Sequence, residues 1–406
     1  MGEVINGYEL LAPLSNKNAG FAKWGHARKG GREFFIKEFL NPCYPTRNSP
    51  FDTKTKMVVI AECRAYEEEK RRLYTTINRV SDGNLLRIEE FFRWDGKYYI
   101  TTQWLDTAQK RDSFMLGAKS AQNQMSVEDL YRFGDSDVKM RCALALSHAL
   151  IGLHKEGIAH ADIKPRNIVL SQMATGNISA KIIDVDSSFW VSNPPDELVG
   201  DQVYFAPESV LFMIRGKEAS PITCAVDVFA MGLVFHQIFS GELPKLPEDY
   251  NFACEACLDG EKLAVSERVP ESVRGIIEDM LATDASARPS METVHQRLWK
   301  HAYGSEPAEF SDEVRGEASD MRGGDEVHTG TPDLRSGDEV HTGTPDLRGG
   351  DDRRAGTSDF HNGGRGESRI IFGAGLHTGD GGKKTESDSS TDMTESTGTF
   401  HMPGEL

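Results

Sequence analysis

The chain has 406 residues and a formal net charge of −17, which is long enough for two or three domains of ordinary size. Such an acidic surplus argues against non-specific binding to nucleic acid, because phosphate backbones are bound by surplus Lys and Arg. The first residues contain neither a signal peptide nor a myristoylation motif, and the most apolar stretch is too short for a membrane span. We therefore expect a soluble, cytoplasmic protein without membrane contact.

Two kinds of periodicity divide the first 300 residues. Residues 8–40 and 87–102 alternate apolar and polar side chains between glycines, which predicts antiparallel strands. Residues 56–78, between them, have the spacing of a helix. Long amphipathic segments follow from residue 136, and the first of them ends at Gly157, a natural helix terminus. A strand-rich part followed by a helix-rich part predicts a two-lobed α+β fold.

The last quarter of the chain differs in composition. Residues 301–406 contain 22 acidic and 10 basic residues (−12), whereas residues 1–300 contain 41 and 36 (−5), and 20 of the 39 glycines lie in the last quarter. A polar repeat of 13 residues runs through about 311–362. Such a segment buries too little apolar surface to offset the entropy of ordering, which predicts a disordered acidic, Gly-rich tail.

One loop and one strand end carry the candidate chemistry. Residues 160–167 read His-Ala-Asp-Ile-Lys-Pro-Arg-Asn between two apolar segments, and Asp184 follows Asn167 by seventeen residues at the end of a predicted buried strand. A site for phosphoryl transfer needs cations for the phosphates, oxygen ligands for a metal and one group that orients the attacking hydroxyl. The loop and Asp184 together supply residues of these types.

Three further motifs lie after this loop in the chain: Ala206-Pro207-Glu208, Asp227 to Gly232, and Arg288-Pro289. With these motifs, the chain resembles the eukaryotic-type Ser/Thr protein kinases over residues 8–300. The resemblance implies a strand-rich lobe at about 8–102 and a helical lobe at about 107–300. In the family Glu208 pairs with Arg288, and Asp227 supports the backbone of the catalytic loop.

The resemblance also assigns the chemistry of the loop. Asp162 would be the base that accepts the substrate hydroxyl proton, and Lys164 would stabilise the γ-phosphate as charge develops. Asn167 and Asp184 would bind Mg²⁺. A lysine two residues after the catalytic aspartate is the Ser/Thr form of the motif. His160 is expected to support the loop rather than to act in catalysis.

The nucleotide would be ATP, held from the first lobe. Lys37 matches the lysine that binds the α- and β-phosphates, and its ion-pair partner should be a glutamate of the following helix. Glu69 has the family's spacing for that partner, with Glu68 and Glu67 as close alternatives.

Other nucleotide contacts depart from the family pattern. Adenine should hydrogen-bond to the backbone at Gln103 and Leu105. The phosphate-covering loop should contain three glycines, but only Gly20 falls beside one of these positions, which predicts a weaker or differently shaped clamp. Trp24 and Phe35 replace smaller family residues, so a narrower adenine pocket is expected.

Two substitutions concern control of the site. Ala161 replaces an arginine that in the family pairs with a phosphorylated activation loop. We therefore expect that activity does not require phosphorylation of Ser187, Ser188 or Ser192. Asp186 replaces the glycine of the metal-binding motif and limits the backbone rotations of that turn.

Three functions remain open on the sequence alone. The leading one is an ATP- and Mg²⁺-dependent Ser/Thr kinase with protein substrates, which would include hydroxyls of its own tail such as Thr331 and Thr344. A pseudokinase scaffold that acts by protein–protein interaction is the alternative. A small-molecule phosphotransferase is disfavoured, because the later motifs build a platform for peptide substrates in protein kinases.

Overall fold

The computed structural model describes residues 2–16, 22–105, 124–172 and 178–305. The predicted tail with its repeats lies outside these residues, and so does Gly20. None of the helices in the described segments is long and apolar enough to cross a membrane.

Six strands within the described residues between Val4 and Gln103 form one antiparallel sheet. Their order across the sheet is β1-β2-β3-β4-β6-β5. The strands are β1 (Val4–Ile5), β2 (Tyr8–Leu10), β3 (Ala22–Lys29), β4 (Arg32–Phe39), β5 (Ile88–Trp94) and β6 (Lys97–Gln103). Alternation along β4 buries Phe34 and Ile36 on one face and turns Phe35 and Lys37 to the other. The second face belongs to the candidate site.

Helix α1 (Thr53–Val80) connects β4 to β5. Its first turn is capped by Asp52, whose carboxylate accepts a hydrogen bond from the Thr55 backbone at 2.7 Å. The buried residues of α1 recur at helical spacing and form one apolar face, which consists of Cys63, Leu73, Tyr74 and Ile77.

The second part is mainly helical. Its helices are α2 (Val127–Phe133), α3 (Ser136–Lys155), α4 (Pro207–Arg215), α5 (Ala225–Ser240), α6 (Ala253–Leu258), α7 (Glu271–Met280) and α8 (Met291–Tyr303). Its short strands are β7 (Gln124–Met125), β8 (Ile158–Ala159), β9 (Ile168–Gln172), β10 (Ile178–Ile182) and β11 (Phe189–Trp190). Within the described segments β10, β9 and β7 form one sheet, and β11 pairs with β8.

Backbone hydrogen bonds join the two parts beside the end of β10. The Leu86 amide donates to the Ile182 carbonyl at 2.9 Å, and the Ile182 amide donates to the Asn84 carbonyl at 2.8 Å. Leu85 and Ile182 are both buried in the large core that extends from α1 into the helical part. This junction fixes the strand end two residues before Asp184.

The expected α+β division is confirmed, with small differences at its edges. The sheet begins at Val4, before residue 8, and the last described helix ends at Tyr303. Residues 124–134, in the long connection after β6, contain β7 and α2. Strand β7 adds an edge to β9, a pairing that sequence periodicity did not predict because the strand has only two residues.

Candidate active site

The loop between β8 and β9 surrounds Asp162 with donors. Lys164 Nζ lies 2.8 Å from Asp162 Oδ1, and Asn167 Nδ2 donates to Asp162 Oδ2 at 2.8 Å. Burial raises the pKa of Asp162, and the ammonium of Lys164 opposes that rise. The three residues that the sequence assigned to this loop are therefore in direct contact.

A buried carboxylate on α5 holds the backbone of the loop. Asp227, which is 1% exposed, accepts hydrogen bonds from the amides of His160 at 2.7 Å and Ala161 at 2.8 Å. His154 Nε2 lies 3.0 Å from the same carboxylate. Burial raises the pKa of Asp227, but the hydrogen bond from His154 and the backbone donors outweigh it, so the pKa lies below its usual value. The supporting role expected for Asp227 is present in the structure.

His160 is fully buried inside the loop. Its Nδ1 accepts a hydrogen bond from the Asp162 amide at 3.3 Å, and its Nε2 lies 3.3 Å from the Ile183 carbonyl. These contacts connect the loop to the end of β10. They agree with the supporting role that the sequence analysis gave to this histidine.

Asp184 and Asn167 form an oxygen-rich corner of the site. The Ile183 amide donates to the Asn167 carbonyl at 2.9 Å, which ties the residue before Asp184 to the loop. Asn167 Nδ2 donates to Asp162, so the amide oxygen of Asn167 is the atom that the expected metal would use. Carboxylate and amide oxygens are the ligands that Mg²⁺ accepts in proteins. The donor chemistry of this corner fits such an ion.

Lys37 of β4 points to the same corner. Its Nζ lies 2.9 Å from Asp184 Oδ1 and also forms an ion pair with Asp186 Oδ2. Burial alone would lower the pKa of Lys37, but the carboxylates of Asp186 and Asp184 raise it well above its usual value. The ammonium group therefore stays charged in a side chain that is 12% exposed.

The predicted ion pair between Lys37 and Glu69 is wrong for this structure. Glu69 is exposed, and its Oε1 accepts a hydrogen bond from Asn193 Nδ2 at 3.0 Å. The alternative Glu67 pairs with Arg71 on its own helix. The physical reason is helix geometry. Successive side chains are rotated by about 100° around the helix axis, so a shift of one position changes which residue faces the site.

Lys70 occupies the helix position that faces the site. Its Nζ donates to the Asp186 carbonyl at 3.0 Å. The sequence contains the signal for this assignment, because residue 70 lies three and four positions before the buried Leu73 and Tyr74. The position of residue 70 relative to the buried face of α1 would have identified Lys70 as the residue that faces the site. The family's spacing along the chain identified Glu69 instead.

A cleft of about 600 Å³ lies between the sheet and the end of β10. Gln103 and Leu105 line it, as expected for the adenine contacts, and so does Phe35. Trp24 stacks on Phe35 with ring centroids 5.7 Å apart. The cleft also contains Lys37, so the lysine expected to bind the phosphates and the expected adenine contacts share one cavity.

A second ion pair joins α4 to the turn before α8. Arg288 Nη1 and Nη2 bind Glu208 Oε1 and Oε2 at 2.6 and 2.9 Å. This two-pronged geometry is the strong form of an arginine–carboxylate pair. Arg288 is 7% exposed and also donates to the Ala225 carbonyl at 2.9 Å. The pair that the resemblance predicted therefore fixes the first turn of α4 to the turn before α8.

Comparisons with known proteins agree with this geometry. The profile described as "Protein kinase domain" matches residues 54–300. Protein kinase kin1 of Schizosaccharomyces pombe is 26% identical over 322 residues, which is 77% of this chain and 32% of that protein. Serine/threonine-protein kinase PSK2 of Saccharomyces cerevisiae is 26% identical over 234 residues, which is 56% of this chain and 18% of the length of PSK2. Human serine/threonine-protein kinase Kist is 32% identical over 158 residues, which is 36% of this chain and 37% of the length of Kist.

Proposed function

The chain belongs to the protein kinase family, and we propose that it transfers the γ-phosphoryl group of ATP to serine and threonine hydroxyls of proteins. The aligned segments span about a third or less of the curated kinases kin1 and PSK2, so their activity is a proposal here. The observations that carry the proposal are the contact of Asp162 with Asn167 in the loop and the contact of Lys37 with Asp184 in the cleft.

The residues of the cleft fit ATP and Mg²⁺. Asp184 and Asn167 would hold the metal through their oxygens, and Lys37 would bind the phosphates. Backbone groups at Gln103 and Leu105 would hold adenine. Mg²⁺, when bound, would neutralise charge that develops on the phosphate oxygens.

The residues of the loop would act on the protein substrate. Asp162, whose pKa burial raises, would accept the hydroxyl proton and orient the attacking oxygen. Lys164, at 2.8 Å from Asp162, would stabilise the charge of the transferring group. Because Asp227 fixes two amides of the loop, the base needs little reorganisation before transfer.

The target class is supported by the residues and by the relatives. Lys164 stands where Ser/Thr kinases carry a lysine, and PSK2 and Kist are named as serine/threonine-protein kinases. The Glu208–Arg288 pair belongs to the platform for peptide substrates, which disfavours a small-molecule phosphotransferase. The pseudokinase scaffold is not favoured, because the residues for phosphate, metal and proton transfer are all retained.

Incubation of the purified chain with ATP labelled in the γ-phosphate, Mg²⁺ and a mixture of unfolded protein substrates tests the proposal. We expect labelled phosphoserine and phosphothreonine, and Asp162→Ala should lower the rate by about 100-fold or more. Incorporation no greater than in Asp162→Ala would contradict kinase activity.

The tail is proposed as one substrate of this activity. Thr331 and Thr344 lie in its repeats, and further Ser and Thr residues follow near the end of the chain. A polar, Gly-rich tether would bring these hydroxyls to the site at a high effective concentration. Mapping of label after incubation without other substrates should find sites beyond residue 305. Autophosphorylation confined to residues 1–305 would exclude the tail.

A further inference from the structure

The negative charge beside Lys37 comes from the segment that follows β10. Asp186 forms an ion pair with the ammonium group, and both carboxylate oxygens of Asp186 are buried. The side chain of Asp186 is 14% exposed, whereas that of Asp184 is 32% exposed. The deeper of the two carboxylates therefore belongs to the residue that stands in place of a glycine.

Helix α1 presents a cation to this corner. Lys70 donates to the Asp186 carbonyl at 3.0 Å and lies over the Tyr74 ring, 5.7 Å from its centroid. Glu69 is turned away to Asn193. The helix thus contacts the backbone of Asp186 through a lysine, and the glutamate expected beside Lys37 is engaged elsewhere.

Two demands on Asp184 explain why a second carboxylate is needed. A buried ammonium group is costly without a paired anion. If Lys37 had Asp184 alone, the lysine and the metal would compete for one carboxylate. Asp186 gives Lys37 a second anion, which would remain beside the ammonium group when Asp184 binds the metal.

We propose that Asp186 is the positioning residue of Lys37, in the part that the family gives to a helix glutamate, and that Lys70 holds Asp186 in place from α1. This inference rests on the proposed function, because Lys37 matters only if the cleft binds a nucleotide. It deepens that function by naming how the phosphate-binding lysine is placed.

A consequence concerns regulation. Kinases in which the helix supplies the anion lose the ion pair when the helix moves away. Here the anion follows β10 within four residues, and Ile182 of β10 is fixed by hydrogen bonds to Asn84 and Leu86. Displacement of α1 would remove the hydrogen bond from Lys70 but not the carboxylate beside Lys37. The anion of Lys37 therefore stays with the segment after β10 when α1 moves, although Asp186 then loses the donor that holds its backbone.

Calorimetric binding of ATP with Mg²⁺ to the full chain tests the inference. Asp186→Asn keeps the shape of the side chain and removes its charge, and should weaken binding by about 10-fold, the usual effect of losing a charged hydrogen-bond partner. Glu69→Gln is the matched control and should bind within about 2-fold of the wild type. Wild-type affinity in Asp186→Asn, or equal weakening in Glu69→Gln, would overturn the inference.

A double-mutant cycle separates positioning from a structural role. In a Lys37→Met background Asp186→Asn should no longer weaken ATP binding, because the residue acts through the lysine. The same 10-fold weakening in both backgrounds would overturn the assignment.

If Asp186→Asn lacks a cooperative thermal transition, Asp186→Gly, the residue typical of the family, takes its place with the same expectation. Wild-type affinity in Asp186→Gly would again overturn the inference. Failure of the proposed function looks different, because the wild type would then transfer no more label than Asp162→Ala.

Discussion

Two residues of the site adopt a left-handed backbone without being glycine. Ala161 has φ 63° and Asp184 has φ 65°, and such conformations cost about 1–3 kcal/mol each. At Ala161 the cost is offset by the hydrogen bond from its amide to Asp227. At Asp184 it is offset by the contact with Lys37 and by the junction of β10 with residues 84–86. Backbone strain is thus stored where the loop that contains Asp162 meets the turn that contains Asp184.

At the scale of single residues the sequence predicted contacts well where motifs fixed both partners. Glu208 and Arg288 form the expected pair, and Asp227 supports the loop. The partner of Lys37 could not be obtained in this way, because Glu67 to Lys70 are four consecutive charged residues that point in different directions around a helix. Burial decides which one faces the site, and burial depends on tertiary packing.

His295 makes stability depend on pH. It is 3% exposed in α8 and lies 2.9 Å from the Ser147 hydroxyl. Burial, together with the nearby His148, lowers the pKa of His295 to about 4. A lowered pKa in the folded state means that the unfolded chain takes up the proton first, so stability is complete above about pH 6.5 and declines as the pH falls towards 4.

Urea unfolding at pH 7.5 and pH 5 measures this effect. Protonation linked to His295 should lower the free energy of unfolding by about 2 kcal/mol at pH 5 relative to pH 7.5. His295→Gln keeps a hydrogen-bonding side chain without the charge change, and its stability should fall less over the same interval. An equal fall in both proteins would show that another group is responsible.

At the scale of elements the segment between Asp184 and α4 is held without phosphate. Strand β11 pairs with β8, and the Val191 amide donates to the Gly157 carbonyl at 2.9 Å. Asn193 binds Glu69 of α1, and Asp196 accepts from Lys217 at 2.7 Å. These contacts order the segment although Ala161 cannot pair with a phosphate group.

The triple variant Ser187→Ala, Ser188→Ala, Ser192→Ala should therefore retain turnover within about 3-fold of the wild type. Ser188 is buried, and its hydroxyl donates to the His160 carbonyl at 3.4 Å, so the main effect should be a loss of about 1 kcal/mol in stability. Initial rates of label transfer, with unfolding measured in parallel, check both statements. Abolished turnover in a folded triple variant would show that loop phosphorylation is required.

Element prediction from sequence succeeded where the pattern is long. Residues 56–78 gave α1, and the structure extends this helix to Thr53–Val80 because Asp52 caps its first turn. The two-residue strand β7 and helix α2 were not predicted, since a strand that short has no periodicity and depends on its pairing with β9. The pairing of β8 with β11 could not be predicted from the sequence either, because it depends on the tertiary fold.

At the scale of the molecule the site combines residues from both described parts. Lys37 comes from the antiparallel sheet, whereas Asp162, Asn167 and Asp184 come from loops and strand ends of the helical part. The ordered motifs predicted this convergence through the family resemblance. The shape of the cleft, with Phe35 in its lining and Trp24 stacked on that ring, required the three-dimensional structure.

The central claim is that Asp162 acts on the substrate hydroxyl whereas Asp184 holds the metal. Nucleotide binding and phosphate transfer, measured on the same variants, test this claim most directly. Asp162→Asn should bind ATP with Mg²⁺ within about 3-fold of the wild type and transfer phosphate about 100-fold more slowly. Asp184→Asn should lose the gain in ATP affinity that Mg²⁺ provides, because the metal loses its carboxylate. Wild-type transfer by Asp162→Asn, or an undiminished Mg²⁺ effect in Asp184→Asn, would contradict the account.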